Sequence, residues 1–125
     1  MRSLLKSYLV LNVVGAALSV QRRRSPRLFG IRLPGTPLIH ALTIGSPMSA
    51  PPLMLMALIV AERRRRLDVV AAISAMFVCG IAGEADTVAA LRRPRADPVV
   101  TALVVLELVV PGSLFVVARR RMRLP

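Results

Sequence analysis

Aromatic residues are nearly missing from this chain: Tyr8, Phe29, Phe77 and Phe115 are the whole set, and there is no tryptophan. Proteins that bind single-stranded nucleic acid stack bases on aromatic side chains. A formal charge of +12 therefore does not by itself imply a nucleic-acid partner, and none is expected. Cysteine is as scarce. Cys79 is the only one, which excludes an intrachain disulfide, and within its apolar run it reads as a small packing residue. Histidine is limited to His40, without a second ligand type at metal spacing, so no metal site is expected. The chain has no Gly-x-Ser-x-Gly elbow, no phosphate-cradling glycine loop and no Walker-type lysine, so neither nucleophilic hydrolysis nor a cofactor is expected. Acids are few, six against eighteen bases.

What is abundant is apolar surface. Over 125 residues, 55% are hydrophobic and the mean hydropathy is +0.65, more than a soluble domain of this size can cover. The expected solvent is a bilayer, and the expected location is the cytoplasmic membrane. The arginines support this by their placement. They cluster at Arg22–Arg24, Arg63–Arg66, Arg92–Arg93 and Arg119–Arg121, at the ends of apolar runs, where guanidinium groups hold phospholipid headgroups or snorkel to them.

With roughly 20 residues needed per crossing, the spans read as Ser3–Val20, Pro37–Ala61, Val69–Leu91 and Pro98–Ala118. The expected fold class is all-α: an integral membrane bundle of four transmembrane helices, the second and fourth interrupted by proline, with residues 1–125 as one domain. The first span also has the features of a signal peptide, with Arg2 and Lys6 before an apolar core and Ala17-Leu18-Ser19 as a small-residue cleavage site. The Arg22–Arg24 run directly after such a cut favours a retained span. Between the first two spans, SPRLFGIRLPGTP (Ser25–Pro37) carries enough proline and glycine to read as a turn or surface loop. Four crossings leave ten basic residues on the side of the termini and eight on the other. That excess favours both termini in the cytoplasm and leaves open a homodimer of oppositely inserted copies or a larger complex.

Acids inside such spans need a reason. At ~1.5 Å per residue, Asn12 and Glu107 fall near the middle of their spans, Glu84 ~6 Å from it, Asp86 ~9 Å and His40 ~13 Å. Chain direction displaces Glu84, Asp86 and His40 toward the same surface. A charged side chain at that depth costs on the order of 2.5–3.5 kcal/mol even on permissive scales, and apart from Lys6 near the start of the first no Lys or Arg lies within the spans. Glu84 and Glu107 must then be neutral, hydrated in a cavity, or neutralised by something that binds. Two proline arrangements mark the same depth. Pro111 removes the helical donor of the Glu107 carbonyl, and Pro47, Pro51 and Pro52 do so for Thr43, Pro47 and Met48. Freed backbone of this kind is tolerated at membrane depth where it is buried in protein or lines a wet cavity; Ser46 and Ser49 are the nearby donors.

Structural readings stand beside these. Pro111 and the Pro47–Pro52 stretch are also explained as kinks, His40 as a hydrogen-bonded interfacial residue, Asn12 as a helix–helix bridge and Tyr8 as an interfacial anchor. Asp86 lies within reach of Arg92 or Arg93, Glu62 with Arg66 and Arg64 with Asp68 have the i, i+4 spacing of surface pairs, and Gly15–Ser19 and Cys79–Gly83 offer small faces for close packing. Three functions follow. The first is proton-linked transport of a small lipophilic solute, with Glu84, Glu107 and Asp86 as proton-binding or acid/base candidates and Asn12, His40, Ser46 and Ser49 as solute-binding candidates. The second is an accessory or structural subunit of a membrane complex. The third is an intramembrane isomerase or cyclase using the same acids on a lipid-soluble substrate; scarce aromatic shielding for a carbocation ranks it below the other two.

Overall fold

Three of the six helices among the described residues begin with proline at their first position, where its fixed φ suits a helix start and its missing N–H costs nothing. The computed structural model describes residues 1–23, 31 and 34–123. These form α1 (Arg2–Gln21), α2 (Pro37–Thr43), α3 (Pro52–Arg63), α4 (Leu67–Ala82), α5 (Ala85–Arg92) and α6 (Pro98–Met122), an all-α fold. Most of the turn expected over Ser25–Pro37 lies outside the described residues, as do Arg24, Arg27 and Arg32. Side chains sharpen two of the proline starts: the Thr36 hydroxyl accepts from the Ile39 amide at 3.3 Å, and the Asp97 carboxylate from the Val100 amide at 3.3 Å.

α1 and α6, with 20 and 25 residues, are roughly 30 and 38 Å long. By length and composition both are sufficient to cross a membrane. α4 is a shorter apolar helix. Ion pairs at the two ends of α1 fix chain directions. Arg2 lies 3.6 Å from Glu62 at the end of α3, and Arg22 pairs with Asp97 at the start of α6. Both partner helices therefore run antiparallel to α1. α4 and α6 form the most extensive helix–helix interface, and α1 packs on α6 beside it. Leu5, Leu58, Val70, Phe77, Val104 and Leu114 are buried between them. Val13 (70% exposed), Leu53 (76%) and Met76 (58%) face outward, so the apolar side chains are not confined to the interior.

The interruptions differ from expectation. The second apolar run is indeed broken, between Thr43 and Pro52. α6, however, continues through Pro111 as one helix: a single proline removes one rung, and here the remaining bonds and the packing on α4 carry the helix past it. The unexpected break is in the third run. α4 ends at Gly83, and Glu84 (φ −75°, ψ 133°) is extended before α5 begins. Gly80 and Gly83 each weaken a helix by about 1 kcal/mol relative to alanine, and the chain leaves the helix beside them.

Surface pairing also departs from the helical spacing read in the sequence. Arg65 has φ 54°, so no helix continues from Glu62 to Asp68; Glu62 faces Arg2 instead, and Asp68 takes Arg66 at 3.1 Å. Tyr8 is fully buried and not an interfacial anchor: its neighbours on α4 and α6 enclose it. Cys79 is exposed and so is not a packing residue. Of the two small faces, the first meets another segment at Gly15 and the second is open at Gly80. A Cβ on Gly15 would lie 1.9 Å from the Met48 carbonyl oxygen, whereas one on Gly80 would meet nothing within 4 Å. The Met48 carbonyl thus rests on the Gly15 Cα, in the manner of a Cα–H···O contact.

Gly15→Ala is expected to force α1 from the 44–51 segment and to cost about 1–3 kcal/mol, read as a lower midpoint of thermal unfolding in lipid nanodiscs, while Gly80→Ala leaves the midpoint unchanged or higher. The Val100 amide and then Arg22 hold the Asp97 carboxyl below the usual carboxylate range. A carboxyl depressed on folding stabilises above its unfolded pKa and loses that contribution as pH falls through its folded value. Acidification below about pH 4 is therefore expected to fray the first turn of α6. Amide exchange at Val100 relative to Val104 reads this, and Asp97→Asn is expected to abolish the pH dependence.

Candidate functional site

Residues 44–51 are the least regular stretch of described chain, and 45–50 within it are buried. Buried peptide groups outside a helix must find partners elsewhere. Here they do so largely within the turn. Ser46 and Ser49 exchange both backbone bonds, at 3.1 and 3.2 Å, and the Gly45 amide reaches the His40 carbonyl at 2.7 Å. Gly45 has φ 99°, and a Cβ there would lie 2.8 Å from the Ser49 carbonyl oxygen, so the turn requires glycine. The two serine hydroxyls bond each other at 2.6 Å. The Ala50 amide is met from α1 by the Asn12 Oδ1 at 2.6 Å, while the Asn12 amide donates to the Tyr8 carbonyl at 2.7 Å.

The turn faces the other break. Between them lies a cavity of about 430 Å³, its wall including Tyr8 from α1, Ser46, Ser49, Ala50 and Pro51 from the turn, Met54 from α3, Phe77, Gly80 and Ile81 along α4, and Glu84 at the break beyond it. That volume lies within the range of pockets for small organic ligands, about 300–1,000 Å³. Its walls are apolar except where Glu84, only 4% exposed, and the two serines contribute oxygens. Such a space suits a small molecule that is mostly apolar, with one positive or hydrogen-donating end.

The expected site residues separate into groups. Ser46, Ser49 and Glu84 share the cavity. Asn12 stands behind it with both side-chain groups committed to protein. Asp86 is buried in a distinct recess of about 220 Å³ with Arg22, Arg93 and Asp97, and neither Glu84 nor Asp86 lacks an interaction partner. His40 lies outside the cavity wall; its Nε2 is 2.9 Å from the Pro34 carbonyl oxygen, so it ties α2 to the segment before it. Glu107 is completely buried on α6, and neither carboxyl oxygen has a hydrogen-bond partner among the described residues.

Tyr8, Phe77 and Gly80 were not anticipated as wall residues. A signal for them exists in the spacing: Phe77, Gly80 and Ile81 stand at i, i+3 and i+4, one face of a helix, and Tyr8 is four residues before Asn12. Comparison with protein-family models, curated proteins and solved structures finds no match to this chain. Its chemistry is therefore argued from the geometry alone.

Asn12→Ala leaves the buried Ala50 amide without an acceptor, a loss of about 1–3 kcal/mol. Hydrogen exchange at Ala50 and its turn is expected to accelerate by at least tenfold, the equivalent of about 1.4 kcal/mol, with α5 and the start of α6 unchanged.

Proposed function

We propose that the chain crosses the cytoplasmic membrane four times, with α1, the α2–α3 pair, the α4–α5 pair and α6 as the crossings, and carries a small lipophilic cation through the cavity in exchange for protons. The observation that carries this reading is the meeting of two broken apolar runs at one cavity, with Ser46 and Ser49 from one and Glu84 from the other. Discontinuous helices at mid-membrane are where secondary transporters place solute and ion sites. Glu84 would offer its carboxylate to the cation that enters. The outward apolar side chains would face lipid, and the ten-to-eight excess of basic residues on the side of the termini would put both termini in the cytoplasm.

Flux of tetrabutylammonium into proteoliposomes under an imposed pH gradient tests the reading. Glu84→Gln is expected to lower the flux by at least about tenfold, the loss of one charge-assisted contact of ~1.4 kcal/mol or more. Gly80→Leu, a side chain entering space that nothing fills within 4 Å of its Cβ, is expected to block flux without unfolding the protein. Flux that ignores the pH gradient and both substitutions would overturn carriage. A chemically altered solute would instead indicate an enzyme, and a requirement for a co-purifying protein an accessory subunit.

A further inference from the structure

The cavity between the two breaks is graded in polarity. Its polar wall residues Ser46, Ser49 and Glu84 are buried, none of them more than 6% exposed. Its exposed wall residues are Ile31, Ile44 and Met76, at 63, 44 and 58%. All three are apolar. Pro51, Met54 and Gly80 are intermediate in exposure, and a Cβ on Gly80 would meet nothing within 4 Å. The space therefore runs from an inner end that carries oxygens to an outer mouth rimmed by aliphatic and thioether side chains.

The level of the mouth decides what lies against it. Met76 stands nine residues after Leu67, where α4 begins, so it is ~14 Å from that residue along the helix axis. Arg63–Arg66 immediately precede Leu67. With those arginines at the headgroups of the membrane proposed above, that distance puts Met76 near the middle of a hydrocarbon layer about 30 Å thick. Cys79 on the next turn of α4 is exposed as well, as are Leu53 and Met56 on α3. Large exposed apolar side chains are unfavourable against water and not against lipid tails. In that placement the mouth meets acyl chains.

We propose that the cavity takes a single-chain cationic amphiphile sideways from the bilayer, its charged head reaching Glu84 and the two serines and its tail left in the lipid between Ile44 and Met76. This rests on the carrier reading above and names its solute class and route of entry. A cavity of about 430 Å³ closed on every side would limit the length of chain it could hold. An open apolar mouth sets no such limit, because methylenes beyond it stay in the solvent from which they came. Glu84 has an interaction partner within the protein; a carboxylate offers about four lone-pair sites, so an incoming cation does not require that partner to leave. The site thus selects a head that fits past Gly80 and is indifferent to the length of the tail.

Tyr8 belongs to the cavity wall and is the only tyrosine in a chain without tryptophan, so its emission in phosphatidylcholine vesicles reports occupation of the cavity. Octyl-, dodecyl- and hexadecyltrimethylammonium are titrated into reconstituted protein, and each dissociation constant is expressed as mole fraction of the probe in lipid. The three constants are expected to agree within about threefold, because the added methylenes lie in lipid before and after binding. Gly80→Leu is expected to weaken each by at least about tenfold with the thermal midpoint unchanged. A constant that rises more than about tenfold from octyl to hexadecyl would put the tail in a closed space or in water; this overturns the sideways mouth and leaves a site for small cations standing. A saturable response to tetrabutylammonium alone has the same meaning. Binding of all three by Gly80→Leu as by wild type would place the amphiphile elsewhere and overturn the proposal. No response to any of the four cations overturns the carrier reading, and the amphiphile with it.

Discussion

A peptide group taken out of water and out of a helix must be given a partner, and in this molecule that requirement is concentrated in residues 44–51. The serine-bracketed turn meets most of it internally. The Ala50 amide is met from outside it, by the Asn12 side chain across 38 residues of sequence. Everything near the cavity depends on that bridge. It holds the turn against α1, brings the Met48 carbonyl onto Gly15, and so sets the distance between the turn and α4. A larger residue at position 15 and a shorter one at position 12 would act on the same geometry from opposite directions.

The two breaks are unlike in construction, which explains how they cooperate. The first is stiff: proline restricts its backbone, and reciprocal bonds between Ser46 and Ser49 close it. The second consists of little more than Gly83 and an extended Glu84 between two helices. One side of the cavity is therefore a rigid plug and the other a joint in a helical rod. α1 and α6, both uninterrupted, supply the frame. The acid stands at the joint, where backbone direction already changes, and lines the space between the segments.

Much of this was legible in the sequence, and the failures share a cause. Proline is a strong local signal: Pro37, Pro52 and Pro98 mark helix starts, and the break at Pro47–Pro52 follows from local sterics alone. Asn12 was readable as a bridge because an amide in an apolar run has few other uses. Glycine is weaker evidence, since apolar helices tolerate it, and the break at Gly83–Glu84 was missed for that reason. Pro111 erred in the other direction, because neighbouring bonds and packing decide whether one lost rung ends a helix. Tyr8 sits near the start of an apolar run, where tyrosine commonly meets headgroups; only the approach of α4 and α6 buries it. The charged pairs around Arg65 depended on a single positive φ that no spacing rule anticipates. The grouping of Ser46, Ser49 and Glu84 around a cavity belongs to tertiary packing and had no local signature beyond the spacing of its neighbours along α4.

The bond from Asn12 to Ala50 also has a direction in time. A ribosome delivers α1 before the turn, so the acceptor is already in place when the amide that needs it arrives. The turn closes Ser46 on Ser49 with contacts only three residues apart, and it does not wait for the rest of the chain. Biosynthesis thus meets the demands of this segment in the order in which they arise. A circularly permuted chain that made α1 last would contain the same contacts but would bring the Ala50 amide out before its only acceptor existed.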